Sequence, residues 1–472
     1  MVFGIVAAKN FLQKGKKMKI TRREIIKQLG LGSAALGIGG AVVFGADAPV
    51  IPTASSLPAK HGGSADVLVC GGGPAGIAAA YAAAKRGAKV ILLERFGRLG
   101  GMAVQAMVGP LMGRCQSKIK SEILNKIGGP RIDYMKLDLQ YFDLLTEVGV
   151  EVWLHAPIVG VIMDGNRLRG VRVYTKSGDL EFLGKTVIDA TGDGDVAFMA
   201  NVPFECGREE DGLVQPMSIM YTISGIDPAK RFHCGSEGEA RHRQVNGKSW
   251  AQWVTEGQES GELPPTVGVI RLYYGVQPNR NVVNATQVNG VSGLCPRDMT
   301  KAEIDGRKQA YSILDFVRKH LPGYEKAYID AMPAVIGVRE TRRFEGCARL
   351  EKEDCVVGRK FDDAAVFGAS FCLDIHNPSG SGQAVGHNQH LQGEAERDRP
   401  YDIPYRCLLP KTVDGLLLAG RCISASHVAH SSLRVQQIGM GIGAGAGTAA
   451  AEAAAKGILA REVDIRPLQQ YL

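Results

Sequence analysis

Hydrophobic and polar positions along the chain fall into short apolar runs that end in glycine turns, separated by stretches of helical period. Val67 to Cys70 is the first such run; Gly71, Gly73 and Gly76 follow it, and an alanine-rich segment then continues to Gly87. A second run, Lys89 to Leu93, ends at Glu94, which predicts a strand, a helix closed by glycine, and a parallel second strand. Met135, Leu139 and Phe142 recur at helical spacing before Gly149, and Val150 to Leu154 reads as another strand. Ile158 to Met163 and Leu168 to Thr175 predict a β-meander, with turns at Asp164-Gly165-Asn166 and Ser177-Gly178. Thr186 to Ile188 is a further strand; Leu416 to Ala419 is the last, and a helix of small residues starts near Val435. Between these pieces lie expected strands at Ser218 to Ile223, Val269 to Tyr274 and Val335 to Phe344, and an amphipathic helix near Ala302 to His320. The pattern is that of an α/β domain with a parallel sheet and a meander, built from residues 64–203 and 401–461. A mixed α+β substrate or cap domain, 204–400, is inserted between the halves, and 462–472 is read as a tail.

Composition sharpens this picture. The chain has 472 residues, ample for two or three domains, and its 60 glycines exceed the usual share of about 7%. Close approaches of backbone to ligand or helix explain such an excess. The net charge of +8 is concentrated: residues 1–48 carry eight Lys and Arg against two acids, which leaves only +2 on the rest. A phosphate-binding basic surface is therefore not indicated, and nucleic acid is not an expected partner. Ten cysteines without a CxxC pair exclude zinc ribbons, ordinary iron–sulfur runs and c-type haem.

The first segment reads as an address. Arg22 and Arg23, within Thr21 to Lys27, precede an uncharged stretch from Gln28 to Ala46. This resembles a twin-arginine export signal, which implies a periplasmic or otherwise extracytoplasmic protein, exported already folded and cofactor-loaded. Five glycines between Leu29 and Phe44 dilute the stretch, so a signal at 1–48, cut after Ala48 and followed by a linker at 49–63, is expected over a permanent membrane span. Met18 is an alternative start.

The glycine turn carries the first chemistry. Gly71 permits the tight turn, Gly73 lets backbone N–H groups reach a pyrophosphate, and Gly76 lets the helix lie close to the sheet. Pro74 and Ala75 open that helix, and Glu94, 23 residues past Gly71, stands where a carboxylate binds ribose hydroxyls. NAD and FAD both fit this unit. Arg98-Leu99-Gly100-Gly101 after the second strand and the Ala190-Thr191-Gly192 turn resemble elements of flavoproteins of the glutathione reductase structural type. Gly337 to Arg343 (GVRETRR) and Ala419 to Arg434 (AGRCISASHVAHSSLR) are similar to segments of the FAD-dependent oxidoreductase family, over about residues 64–460. The resemblance implies a Rossmann-like FAD-binding domain. It also implies that FAD is held by Gly71, Gly73, Pro74, Ala75, Gly76, Glu94, Arg95, Arg98, Gly100, Gly101, Met102, Ile158, Thr191, Gly192, Gly420, Arg421, Gln437, Ile438 and Gly439. Arg421 departs from the wider structural type, which often has an acid there.

Catalysis with FAD needs groups that hold substrate and manage one proton. His430 and Arg434 share the HxxxR spacing of the substrate-binding pair in succinate dehydrogenase and fumarate reductase flavoproteins, so they are the expected clamp, with His430 the proton acceptor. A strand through Gly337 to Arg343 would put Arg339 with Arg343 on one face and Glu340 with Arg342 on the other; Arg339 is the expected flavin-side residue. His376, His387 and His390 lie in a polar loop, and His387 is read as an acid or base. Tyr405 can orient substrate and Arg406 can line the flavin, or both merely pack the domain junction. No metal is expected. The leading function is a hydride transfer between a small polar substrate, anionic or hydroxylated, and FAD, with electrons exchanged with oxygen, a quinone or a redox protein. A non-redox lyase or isomerase, and a non-catalytic FAD-binding protein, are the alternatives.

Overall fold

The computed structural model describes residues 60–234, 236–382 and 399–472. The expected export signal, the linker up to residue 59, and His387 and His390 lie outside the described residues.

The apolar runs form one seven-stranded sheet. Its parallel part runs in the order Glu151–Trp153, Val90–Leu93, Lys60–Cys70, Gly178–Asp189, Leu416–Leu418. Gly178–Asp189 is long enough to serve two neighbours on one edge: its first half pairs antiparallel with Arg167–Thr175, its last three residues parallel with Leu416–Leu418. Ile158–Asp164 completes the meander. Strands such as Val90–Leu93 are buried on both faces, which is why they read as continuous rather than alternating apolar runs.

Two helices of small residues, Pro74–Lys85 and Gln436–Lys456, pack backbone to backbone on this sheet. A Cβ on Gly443 would fall 1.9 Å from the Ala75 carbonyl oxygen, and one on Gly447 2.1 Å from that of Ala79. Side chains are excluded there by contact, so the glycine-rich composition is a packing requirement.

A second sheet, four-stranded and antiparallel, has the order Arg271–Tyr274, Asn281–Asn284, Met220–Ser224, Tyr328–Ala331. Ile219, Tyr221 and Ile223 face the helix Pro296–His320 and form a second hydrophobic core with Ala310 and Ile313. Ser218, Met220 and Thr222, on the opposite face, line cavities. That second core draws on residues 217–338, whereas Ala364–Ser370 pairs with Tyr401–Pro404 and Arg114–Gln116 and packs in the first.

Several sequence expectations shift. The helix Leu137–Glu147 buries Leu137, Tyr141, Leu144 and Leu145, while Met135 and Leu139 are exposed, so the apolar stripe is offset from the one expected. The strand expected over 335–344 is regular only at Arg342–Phe344, and Gly337 makes an isolated bridge to Ser218. The expected tail is tied down: Leu468 and Leu472 are buried in the first core, and the Leu472 carbonyl accepts a hydrogen bond from Lys118.

Candidate active site

The carboxyl ends of four parallel strands converge on one cleft, of about 960 Å³. Gly71 follows the strand end at Cys70, Glu94 that at Leu93, Ala190 that at Asp189 and Ala419 that at Leu418, the crevice position typical of open α/β sheets. The terminal helix closes it with Val435, Gln436 and Gly439. Glu94 is 5% exposed and accepts backbone N–H bonds from Gly72 (2.7 Å) and Phe96 (2.8 Å). Burial pushes its carboxyl above the usual range, though those bonds oppose the shift. Asp189 is fully buried and fastens the next turn by accepting from the Thr191 N–H and hydroxyl and from the Ala197 N–H; burial pushes it up to about 6.

A second chamber, of about 740 Å³, adjoins this cleft, and Met102, Arg421, Arg434, Val435 and Gln436 line both. Its polar wall is Ser218, Asn284, Arg339, Asp374 and His376. Arg434 donates to the Asp374 carboxylate at 3.0 Å, and the His376 ring lies 3.5 Å from the same carboxylate. Arg339 differs: its guanidinium donates to the Pro216 carbonyl and, at 2.8 Å, to the Ser218 hydroxyl, both neutral, and no carboxylate among the described residues lies within ion-pair distance. Burial first, and Arg434 second, push Arg339 down to about 9. Burial, then Arg339, push His376 down to about 4, against the opposing pull of Asp374. Burial alone would raise Asp374, but His376, Arg434 and Arg339 hold it well below the usual carboxylate range. The chamber is thus positive at neutral pH and holds a neutral imidazole.

The profile of the family described as FAD dependent oxidoreductase matches residues 66–472. The chain belongs to that family. Among its relatives, a digeranylgeranylglycerophospholipid reductase of Thermoplasma volcanium is 27% identical over 154 residues, covering 27% of this chain and 39% of that protein. The tRNA uridine 5-carboxymethylaminomethyl modification enzyme MnmG of Thermus thermophilus is 33% identical over 132 residues, 23% of this chain and 22% of that one. The chain therefore spans about two fifths or less of the curated relatives it matches. A solved geranylgeranyl bacteriochlorophyll reductase-like protein of Thermoplasma acidophilum aligns over 86% of this chain and 82% of that one, at 14% identity and a TM-score of 0.44.

FAD, the cofactor of this oxidoreductase family, fits the cleft. Among the described residues nothing lies within 4 Å of a Cβ built on Gly439, and one on Gly73 would meet only the Gly101 Cα at 3.8 Å, so both helix starts present bare backbone to open space. That is the arrangement a pyrophosphate or a flavin edge requires. Gly71 has φ +107°, with a Cβ position 2.3 Å from the Ala190 carbonyl oxygen, so the turn admits glycine alone.

Of the residues expected to hold FAD, Gly71, Gly73, Pro74, Ala75, Glu94, Arg95, Gly101, Met102, Ile158, Thr191, Gly192, Gly420, Arg421 and Gly439 line the cleft. Five lie off it. Gly76 sits behind the turn against the Gly71 carbonyl, and Gly100 braces it by donating to Gly72. Arg98 is tied to Asp138 at 2.6 Å and to the Tyr134 carbonyl. Gln437 bonds the Leu111 carbonyl through its side chain, and Ile438 is fully buried. Arg421 is held by Asp193 at 2.8 Å and by the Val338 carbonyl, at the junction of cleft and chamber.

The expected clamp is not assembled as a pair. Arg434 caps the short helix His427–Leu433 and reaches the chamber, whereas His430 lines neither cavity. It is 1% exposed, with neither ring nitrogen hydrogen-bonded, and burial, then Arg343 and Arg434, hold it well below the usual imidazole range. The expected facing of Arg339 with Arg343 also fails, because the segment is not a regular strand: Arg343 pairs with Glu340, whose carboxylate also accepts from the His427 ring at 2.8 Å. Arg342 pairs with Asp195 at 3.1 Å. Tyr405 and Arg406 are structural, bonded to the Ala460 carbonyl and to Asp363. Sequence reading left out Asp374 and Ser218 and gave His376 no role of its own; Asp374 and His376 sit in a polar loop stretch with no periodicity to mark them. Among the described residues there is no cluster of three or more metal-ligating side chains, and no helix long and apolar enough to cross a membrane.

Proposed function

We propose that this oxidoreductase transfers a hydride between FAD and an anionic, hydroxylated substrate held in the Arg339 chamber, and exchanges the electrons with an external partner. The observation that carries the reading is Arg339, a half-buried guanidinium beside the cofactor cleft whose hydrogen-bond partners among the described residues are neutral oxygens. Leaving such a charge uncompensated is costly, and an incoming carboxylate supplies the counter-charge. When bound, FAD supplies the redox-active ring, and the chain's residues bind and orient substrate against it. Arg434, fixed by Asp374, presents a forked donor set from the cleft side. His376 is neutral at pH 7 and lines the chamber, so it is the ring placed to take the proton that leaves the substrate hydroxyl.

Arg339→Met, which keeps the volume but removes the donors, tests this directly. Purified variant should retain its full flavin content while kcat/KM for the anionic substrate falls about a hundredfold, the size expected for losing a charge-assisted bond. Unchanged kcat/KM would leave Arg339 a structural role. Export through the twin-arginine route is part of the same proposal, resting on Arg22 and Arg23. Replacing both by Lys should hold the protein, with its flavin, in the cytoplasm, and undiminished export would remove that part.

A further inference from the structure

The Arg339 chamber does not end at the flavin side. A further cavity, of about 1020 Å³, lies beyond it and shares Met112 as a wall. The two also share a floor. Met220 lines the first and Thr222 the second, two residues apart on one strand of the antiparallel sheet, as do Asn284 and Val282 on the neighbouring strand. Side chains two apart share a face, so the chambers follow each other along that face, their wall residues about 7 Å apart along each strand. The Asn284 amide donates to the Tyr273 hydroxyl at 3.2 Å where the two meet.

Their chemistry is unlike. The near chamber is positive, whereas the far one sets rings beside Arg131, Asp133 and Arg280, the last paired with Asp330. His233 stacks flat on Tyr274, at 3.6 Å and 4° between planes, and the Arg231 guanidinium lies 4.4 Å from the same ring. Tyr273 and Tyr134 line it too, both phenols pushed up by burial and hence neutral. Stacked rings at a pocket wall favour a flat, polarisable group with offset or edge contacts. Resting on the anion-binding reading above, we infer that the substrate is an elongated anion: its charged end meets Arg339 and Arg434 beside the flavin, and a ring at its other end lodges against Tyr274 and His233.

A carboxylate series separates this inference from the reading it rests on. FAD-loaded protein is titrated with acetate, hexanoate, benzoate and 5-phenylpentanoate, with the flavin absorbance difference as readout. The inference predicts that 5-phenylpentanoate binds at least about tenfold tighter than either hexanoate, whose chain stops where that ring begins, or benzoate, a ring without reach. Tyr274→Ala, at a residue that is 44% exposed and so dispensable for folding, should abolish that gain and leave acetate unchanged. His233→Ala serves as the independent second variant. Affinity indifferent to ring and length would overturn the inference, as would a gain that survives both variants. Failure of every carboxylate, acetate included, to bind the wild-type protein would instead overturn the anion-binding reading.

Discussion

Arg339 and His430 show how one dimension of spacing misses what burial decides. Both were legible as candidates, and Arg434 with them, because Arg and His near a glycine-rich turn are the groups flavin chemistry uses. HxxxR spacing treats His430 and Arg434 as neighbours on one helix face. The helix His427–Leu433 ends between them, so Arg434 leaves at the cap toward Asp374 while His430 stays in the interior with no hydrogen-bond partner among the described residues. His430→Leu should therefore keep turnover per bound flavin, and its stability cost should stay below about 1.5 kcal/mol, because an unpaired polar ring is exchanged for an apolar group of similar size. Loss of turnover with flavin retained would return His430 to the chemistry. His376 acts on stability in the acid range. Its folded pKa of about 4 lies below the unfolded value of 6.5, so the unfolded chain binds the extra proton between these limits. Stability should fall as pH drops from 6.5 to 4, by up to about 3 kcal/mol, in ligand-free protein followed by its thermal midpoint.

Elements built from small residues carry the most legible part of the fold. Glycine and alanine in Pro74–Lys85 and Gln436–Lys456 announce close packing, and the structure shows which glycines answer which need. A Cβ on Gly447 would fall 2.1 Å from the Ala79 carbonyl oxygen, whereas Gly439 faces open space in the cleft. Gly447→Ala should lower the thermal midpoint of the apoprotein, at a cost of about 1–3 kcal/mol for overpacking. Gly439→Ala should leave that midpoint unchanged and reduce the FAD content on purification. Equal effects of the two on apoprotein stability would mean that the helix start is packed rather than left for a ligand. The central strands were legible for the same reason, as apolar runs ending in glycine. The stretch through Gly337 to Arg343 was not, because its alternation is broken: a lone bridge at Gly337 and a three-residue strand at Arg342–Phe344 aim Arg339 and Arg343 at different partners. The Met135, Leu139 stripe fails on phase, since two registers of the same helical period differ only in which face meets the sheet.

At the scale of the whole molecule, two hydrophobic cores meet at the chamber: one under the parallel sheet, the other between the antiparallel sheet and Pro296–His320. The cofactor cleft belongs to the first, and the far wall of the chamber, Ser218, Met220 and Asn284, to the second sheet. Sequence exposed the first half through its glycine motif, but the second half has no motif, because its walls are alternate residues of ordinary strands brought together only by folding. FAD bound between strand ends should stabilise the fold by mass action, by about 2.7 kcal/mol at a hundred times its Kd, seen as a rise in thermal midpoint with added FAD. The central claim, that an anion sits on Arg339 against the flavin, is tested most directly by anaerobic mixing of the FAD-loaded protein with a panel of hydroxy acids and their methyl esters, followed by flavin absorbance. The account predicts that at least one acid bleaches the flavin, that its ester does so at least about tenfold more weakly, and that Arg339→Met erases the difference. Bleaching by ester and acid alike, or an acid preference that survives in Arg339→Met, would contradict it.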